Sequence, residues 1–419
     1  MYTQLALQIR STRRFAGTLV PMAANPIHVG VDGTTWSNDR GFGRFTRELI
    51  RALAKRSSGF RYTLLFDRLP AEGLPEGIGF ASASTKRVLG ESTTGDGSRS
   101  ISYLWKLGSA ARKARFDVFF FPAVYSYFPI LAQMPCVVCY HDTTAERMPE
   151  LLFPNRFNNW LWKIKTALAR IQTTRAMTVS QSSADDLVHY LGLPASKIDL
   201  VTEAADPVFK VIDDPSAPLR ARARFSIPGT ADLLVYIGGF NRHKNVVTLI
   251  KAMPEIINRH PRAHLAIVGS TSGKGFWDNV AELRHLVESN DQLKRHCHFT
   301  GRIDDAGLVE LLNGAAALVF PSLWEGFGLP AVEAMSCGVP VLASNRSSLP
   351  EVIANGGLFF EPESAESIAG CVSQFLGDTE LRRTLSVNAL RRARDFSWER
   401  AAELAEDCFR KCHQQASQT

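Results

Sequence analysis

The stretch PSLWEGFGLPAVEAMSCGVP, Pro321 to Pro340, decides the fold. The apolar run ALVFPS (317–322) that leads into it reads as a buried strand, and VPVLAS (339–344) reads as another. Between them Gly326 and Gly328 punctuate a loop, and Pro330 stands where a helix can begin without losing a backbone hydrogen bond. Strand, loop, helix and strand in so short a span form the unit of a parallel sheet. Outward from this unit the pattern repeats. LLVYIGG (233–239), HLAIVGS (264–270), HCHFTG (296–301) and LFFEP (358–362) are strands, with helices beginning near Asn245, Asp304 and Pro330. Upstream, IHVGVDG (27–33), RYTLLFD (61–67), DVFFFP (117–122), CVVCYHD (136–142) and AMTVS (176–180) form a second series. EAADPVFKVIDDPSAP (203–218) carries three prolines without periodicity and reads as a linker. The expected architecture is α/β: two Rossmann-like, doubly wound domains over 26–206 and 207–396, facing each other across a cleft.

The 419 residues suffice for two cores, and no run of ~18 uncharged apolar residues occurs, so a transmembrane helix is not expected. The net charge of +7 suits anionic small ligands or an anionic membrane surface. No aromatic–basic RNA motif, zinc-finger spacing or basic zipper appears, so no nucleic-acid partner is expected. The seven cysteines are scattered and odd in number, which reads as reduced thiols of a cytoplasmic protein. Residues 1–25 read as a loosely held leader, and the polar stretch 81–99 as a long mobile loop.

Several groups fall at strand ends, where ligands bind in such sheets. The helix after Gly328 turns free N–H groups and the positive end of its dipole toward the strand end, the outline of a phosphate site. Glu333 in its first turns is either a dipole-favoured carboxylate or a group that accepts two ribose hydroxyls, and Glu325 on the loop could hold sugar hydroxyls in the same way. Arg242 and Lys244 follow a strand and precede a helix capped by Asn245; they are either solvated or placed to neutralise a diphosphate. His141 ends a buried strand as a structural residue or a site residue. GSTSGKG (269–275) departs from a P-loop in spacing and lacks the following Ser or Thr, and Cys136 and Cys139 read as core thiols.

EGFGLPAVEAMSCGVPVLASNRSSLPEV (325–352), preceded by FTGRIDDAGLVELLNGAAALVFPS (299–322), resembles the nucleotide-sugar site of retaining GT-B-fold glycosyltransferases of family four, and the likeness runs from Ile27 onward. The resemblance implies a nucleoside diphosphate sugar donor on the second domain, with no metal and no further cofactor. It places the ribose on Glu333, the transferred sugar on Glu325, and the diphosphate on Lys244, with Arg242 standing in because the family's usual arginine position is Gly239. Backbone groups around Arg302 and Ile303 would hold the nucleobase, and Gly326, Phe327, Gly328 and Leu329 would line the donor. His141 would lie near the reaction centre, so His141 and Glu325 are the catalytic candidates. Gly41 and Gly43, in NDRGFGR (38–44), match a glycine loop that closes over the donor phosphates or the acceptor. The helix from about Ser397 would return to the first domain. The opening VGVDGT with GFGRFTREL resembles bacterial mannosyltransferases of polysaccharide assembly, which makes GDP-mannose the expected donor and a saccharide or lipid-linked saccharide the expected acceptor. The alternatives are a catalytically silent GT-B protein that binds sugar nucleotide or partners an active enzyme, and a sugar-nucleotide epimerase of the same architecture.

The acceptor side reads less sharply. Tyr125, Tyr127 and Phe128 suit sugar stacking or core packing equally, and NRFNNWLWKIKTALARIQ (155–172), with Trp160, Trp162, Lys163 and Lys165, is either an amphipathic cover for the sheet or a helix in peripheral contact with an anionic membrane.

Overall fold

A computed structural model describes residues 25–38, 41–67, 73–83, 100–153, 155–270 and 279–418. The expected leader lies outside the described residues apart from Asn25, as does the expected loop from residue 84 onward.

Thirteen strands form two sheets among the described residues, all paired in parallel. The first contains β1 (Ile27–Asp32), β2 (Phe60–Phe66), β3 (Gly79–Ser82), β4 (Val118–Phe121), β5 (Cys136–Cys139), β6 (Thr173–Thr178) and β7 (Ile198–Leu200), in the order β3-β2-β1-β4-β5-β6-β7. The second contains β8 (Asp232–Ile237), β9 (Ala263–Val268), β10 (Cys297–Gly301), β11 (Ala317–Phe320), β12 (Val341–Ser344) and β13 (Gly357–Phe360), in the order β10-β9-β8-β11-β12-β13. Strand order reverses between β1 and β4 in one sheet and between β8 and β11 in the other. These are the switch points beyond which parallel sheets hold ligands.

The central strands read as unbroken apolar runs because helices cover both faces. Val118–Phe121 and Cys136–Cys139 are buried at every position, with Phe119 opposite Cys136 and Phe121 opposite Val138. Ser100 caps the helix Ile101–Ala114 by accepting from Tyr103 N, and Asn155 caps Arg156–Gln172 by accepting from Asn158 N. Tyr103 and Leu107 on the one, and Ala169 on the other, pack on the face that carries Phe119 and Phe121. The opposite face receives the helices Gly41–Ala54 and Trp398–Ala416.

The helix Trp398–Ala416 starts from the second domain and lies on the first sheet. Ser397 caps it, Trp398 Nε1 donates to Ala205 O at 3.1 Å, and the fully buried Phe409 ring meets Phe120 at 5.1 Å. Glu406, also buried, accepts from Tyr62 Oη at 3.0 Å and from Arg56 Nε at 3.0 Å. Burial of Trp398 and Phe409 together contributes on the order of 5 kcal/mol, enough to hold the return of the chain.

Two expectations need correction. Gly79–Ser82 is an edge strand where a loop was expected from residue 81; backbone pairing to β2 holds it although its residues are half or fully exposed. Asn245 does not cap the helix that follows it with its side chain. It sits at φ 56°, and its amide instead donates to Pro321 O at 3.1 Å and Pro362 O at 2.6 Å, tying three loops together. No helix among the described residues is long and apolar enough to cross a membrane.

Candidate active site

The loop after β11 is fixed before it meets any partner. Ser348 Oγ donates to Glu325 O at 3.1 Å and Phe327 O at 3.0 Å, Glu325 N donates to Ser347 Oγ at 3.0 Å, and Leu323 N donates to His243 O at 2.8 Å. Gly328 takes φ 95°, the left-handed turn that lets the helix Leu329–Ser336 start with its N-terminus toward the cleft. Phe327 and Leu329 are buried behind the loop and set its shape by packing.

Lys244, on the single turn Arg242–Lys244 after β8, reaches across to this loop. Its ammonium lies 2.7 and 2.9 Å from the two Glu325 oxygens, with both side chains largely shielded. The switch-point geometry thus joins the two charged groups expected to hold diphosphate and sugar. Arg242 is exposed on the same turn.

Glu333 is buried in the helix Leu329–Ser336, and burial pushes its carboxyl up to about 7 against the pull of Arg44. The Arg44 guanidinium forms an ion pair with Glu333 and another with Asp305 at 2.6 Å, while stacking 5.5 Å over Phe209. Arg44 belongs to the helix Gly41–Ala54 of the first domain, so this contact crosses the cleft. Asp305 opens the helix that follows Arg302 and Ile303. The Arg44 bridge therefore brings the loop expected to hold a base beside the carboxylate expected to hold a ribose; Arg302 is exposed and Ile303 buried there.

Two glycines are bare because other backbone approaches them. A Cβ on Gly43 would fall 2.0 Å from Asn38 O, so its bareness closes its own loop, whereas Gly41 opens the helix in free space. A Cβ on Gly326 would fall 2.0 Å from His141 O, in the other domain. Gly326 O in turn accepts from Ser180 Oγ at 2.5 Å and Ser183 Oγ at 3.1 Å. The close approach these glycines permit is protein to protein in this structure.

His141 lies two residues past β5 and presents its carbonyl to the Gly326 loop while its ring turns into the first domain. Nδ1 lies 3.1 Å from Glu203 Oε1 and Nε2 lies 2.9 Å from Pro122 O, with the Phe45 ring perpendicular to the imidazole and the ring centres 4.8 Å apart. Burial opposes the imidazolium, but Cys139 and Glu203 outweigh it and hold the ring well above the ordinary histidine value. On the acceptor side Tyr127 and Phe128 are core residues, whereas Tyr125 stacks on Phe42 of the glycine loop at 5.6 Å and remains partly exposed.

Sequence reasoning missed Arg44, Asp305 and Glu203. Arg44 was legible as the cation directly after the glycine loop; the other two carry no local signal.

A chain of two facing parallel sheets, with these charges at both switch points, matches two family models. The model for Glycosyltransferase Family 4 covers residues 40–208 and the one for Glycosyl transferases group 1 covers 220–392. The chain belongs to glycosyltransferase family 4. The O-antigen chain mannosyltransferase B of Escherichia coli is 32% identical over 263 residues, 63% of this chain and 67% of that protein. The serotype-specific mannosyltransferase WbdA of Escherichia coli is 30% identical over 246 residues, 58% of this chain but 29% of that protein, so the chain spans under a third of WbdA. Among solved structures, sucrose-phosphate synthase from Thermosynechococcus elongatus superposes with a TM-score of 0.72 at 19% identity, covering 92% of this chain and 98% of that one. Anabaena Alr3699/HepE with UDP-glucose gives 0.69 at 19%, covering 91% and 98%. These likenesses show the GT-B fold.

Proposed function

We propose that this glycosyltransferase moves a hexose, mannose from GDP-mannose, to a hydroxyl of a saccharide or lipid-linked saccharide acceptor, with retention at the anomeric carbon and without metal. The observation that carries the reading is the meeting of Lys244, Glu325 and the N-terminus of the helix Leu329–Ser336 at the β8/β11 switch point, with Glu333 buried one helix turn beyond. The two mannosyltransferase relatives support the choice of sugar.

In this reading Lys244, Arg242 and the helix N-terminus balance the charge that develops on the departing diphosphate, the largest source of stabilisation open to a site without metal. Glu333 accepts the ribose hydroxyls, Glu325 orients the sugar once Lys244 turns to the diphosphate, and backbone groups at Arg302 and Ile303 meet the base. Gly326, Phe327, Gly328 and Leu329 line the donor, and Gly41 and Gly43 shape the loop opposite. The acceptor hydroxyl attacks from the face the diphosphate leaves, and its proton passes to that diphosphate. His141, whose carbonyl faces the Gly326 loop, shapes the site near the anomeric carbon. The place of action is the cytoplasm or the cytoplasmic face of a membrane.

The test is transfer from GDP-mannose to methyl α-mannoside with EDTA present, the product linkage read by NMR. An α-linked disaccharide supports the reading. A β-linked product overturns retention, and failure to bind any sugar nucleotide would assign the chain to the silent GT-B proteins.

A further inference from the structure

The helix Arg156–Gln172 wears its apolar face outward. Phe157, Trp160, Leu161, Ile164, Leu168 and Ile171 fall at helical spacing on one ~100° arc, and all are exposed, Trp160 at 55% and Ile171 at 79%. The inward face is made of smaller and polar residues: Thr166 and Ala169 are buried, Trp162 Nε1 donates to Glu146 at 2.7 Å, and the Lys165 ammonium is bound to Tyr125 O. Trp162 and Lys165 are therefore structural and belong to the part of the helix that covers the sheet. Leu131 extends the stripe, since the loop that bears it is pinned to the end of the helix by Gln172, which bonds Ile130 N and Ile130 O at 3.2 and 2.7 Å.

Charge accompanies the stripe. Arg156, Lys163 and Arg170 flank it, and the helix has no acidic residue. The helix Ile101–Ala114, on the same layer of the first domain, repeats the composition: exposed Trp105 with Lys106, Arg112 and Lys113, and again no acid. A second copy of the chain would set these cations against their own images with no carboxylate on either helix to offset them. An anionic bilayer offers both an apolar interior for the stripe and phosphates for its flanks.

We propose that this face of the first domain docks on an anionic lipid bilayer, with the helix Arg156–Gln172 lying in the headgroup plane and Trp160, Ile164 and Ile171 entering the acyl boundary. The helix spans ~26 Å at 1.5 Å per residue, so the contact is a broad one that fixes how the cleft sits over the surface. The inference does not rest on the donor-site reading: a chain that binds no sugar nucleotide would dock in the same way.

The test is co-sedimentation of the full chain with vesicles of phosphatidylcholine alone and with about one-third phosphatidylglycerol. The protein is expected to pellet with the anionic vesicles, less so at high salt, and to stay in solution with the neutral ones. Trp160→Ser with Ile164→Ser and Ile171→Ser is expected to lower partitioning at least tenfold while leaving the melting temperature and transfer to a soluble acceptor unchanged. Arg156→Glu with Lys163→Glu is expected to weaken binding to anionic vesicles alone. Absence of wild-type binding, or equal binding by the triple variant, would overturn the proposal. A dimer dissolved by the same three substitutions, without vesicle binding, would assign the stripe to a second copy.

Discussion

Gly326→Ala separates the closure of the cleft from the stability of the domains. The added Cβ would lie 2.0 Å from His141 O, 2.8 Å from His141 C and 3.1 Å from Asp142 Cβ, all three atoms in the opposite domain. A carbon and a carbonyl oxygen sit about 3.5 Å apart at contact, and two of the three atoms are backbone, so the loops must part by more than 1 Å. The move breaks the bonds from Ser180 Oγ and Ser183 Oγ to Gly326 O, each contributing about 1 kcal/mol. A total near 2 kcal/mol shifts the balance against the closed arrangement by about 30-fold. Nothing within either domain's own core opposes the methyl, so the melting temperature should change by no more than about 2 °C. Small-angle scattering should show a larger radius of gyration, and donor turnover should fall by about 30-fold or more. An unchanged radius with unchanged turnover would refute the reasoning, because it would mean that the contact between Gly326 and His141 is not the working arrangement.

Asn245→Ala loses three side-chain amide bonds, to Pro321 O, Pro362 O and Thr248 Oγ1, and puts alanine at φ 56°, so it should cost roughly 2–4 kcal/mol, read as a lower melting temperature; Asn245→Gly should recover the backbone part alone. All seven cysteines are buried and unpaired, so an aromatic disulfide reagent should titrate fewer than one thiol in the native protein and seven in denaturant. His264 touches His298 at 3.0 Å and stacks on His296; burial first, then these neighbours, holds it down at about 4. Being neutral in the fold, it contributes stability above pH 6.5 that is lost as pH falls from 6.5 toward 4. Wild type should therefore lose on the order of 1 kcal/mol more than His264→Gln between pH 7.5 and 5, measured by thermal melts.

How much of this was legible in the sequence depends on the range of the interaction. Apolar runs such as VFFF and CVVC announce buried parallel strands because their meaning is local, and the glycines and Pro330 mark the start of a helix for the same reason. The edge strand Gly79–Ser82 was not legible, since backbone pairing alone makes it a strand. Glu325, Lys244 and Glu333 could be picked out by type and place, but not that Lys244 and Glu325 pair with each other or that Arg44 occupies Glu333 from the other domain. Gly326 reads as a residue that lets something approach, and only the fold reveals that His141 does so across the cleft. Which residues of Arg156–Gln172 face outward stayed open, because helical spacing does not say which face meets the sheet; Trp162 and Lys165 turn inward.

The most direct test of the central claim is release of nucleoside diphosphate from a panel of sugar nucleotides, with EDTA and without acceptor, for the wild type beside Glu333→Ala and Lys244→Ala. The account predicts slow release from one donor, GDP-mannose, indifferent to EDTA and lost in both variants. Release that survives both substitutions would contradict it, as would release that EDTA abolishes.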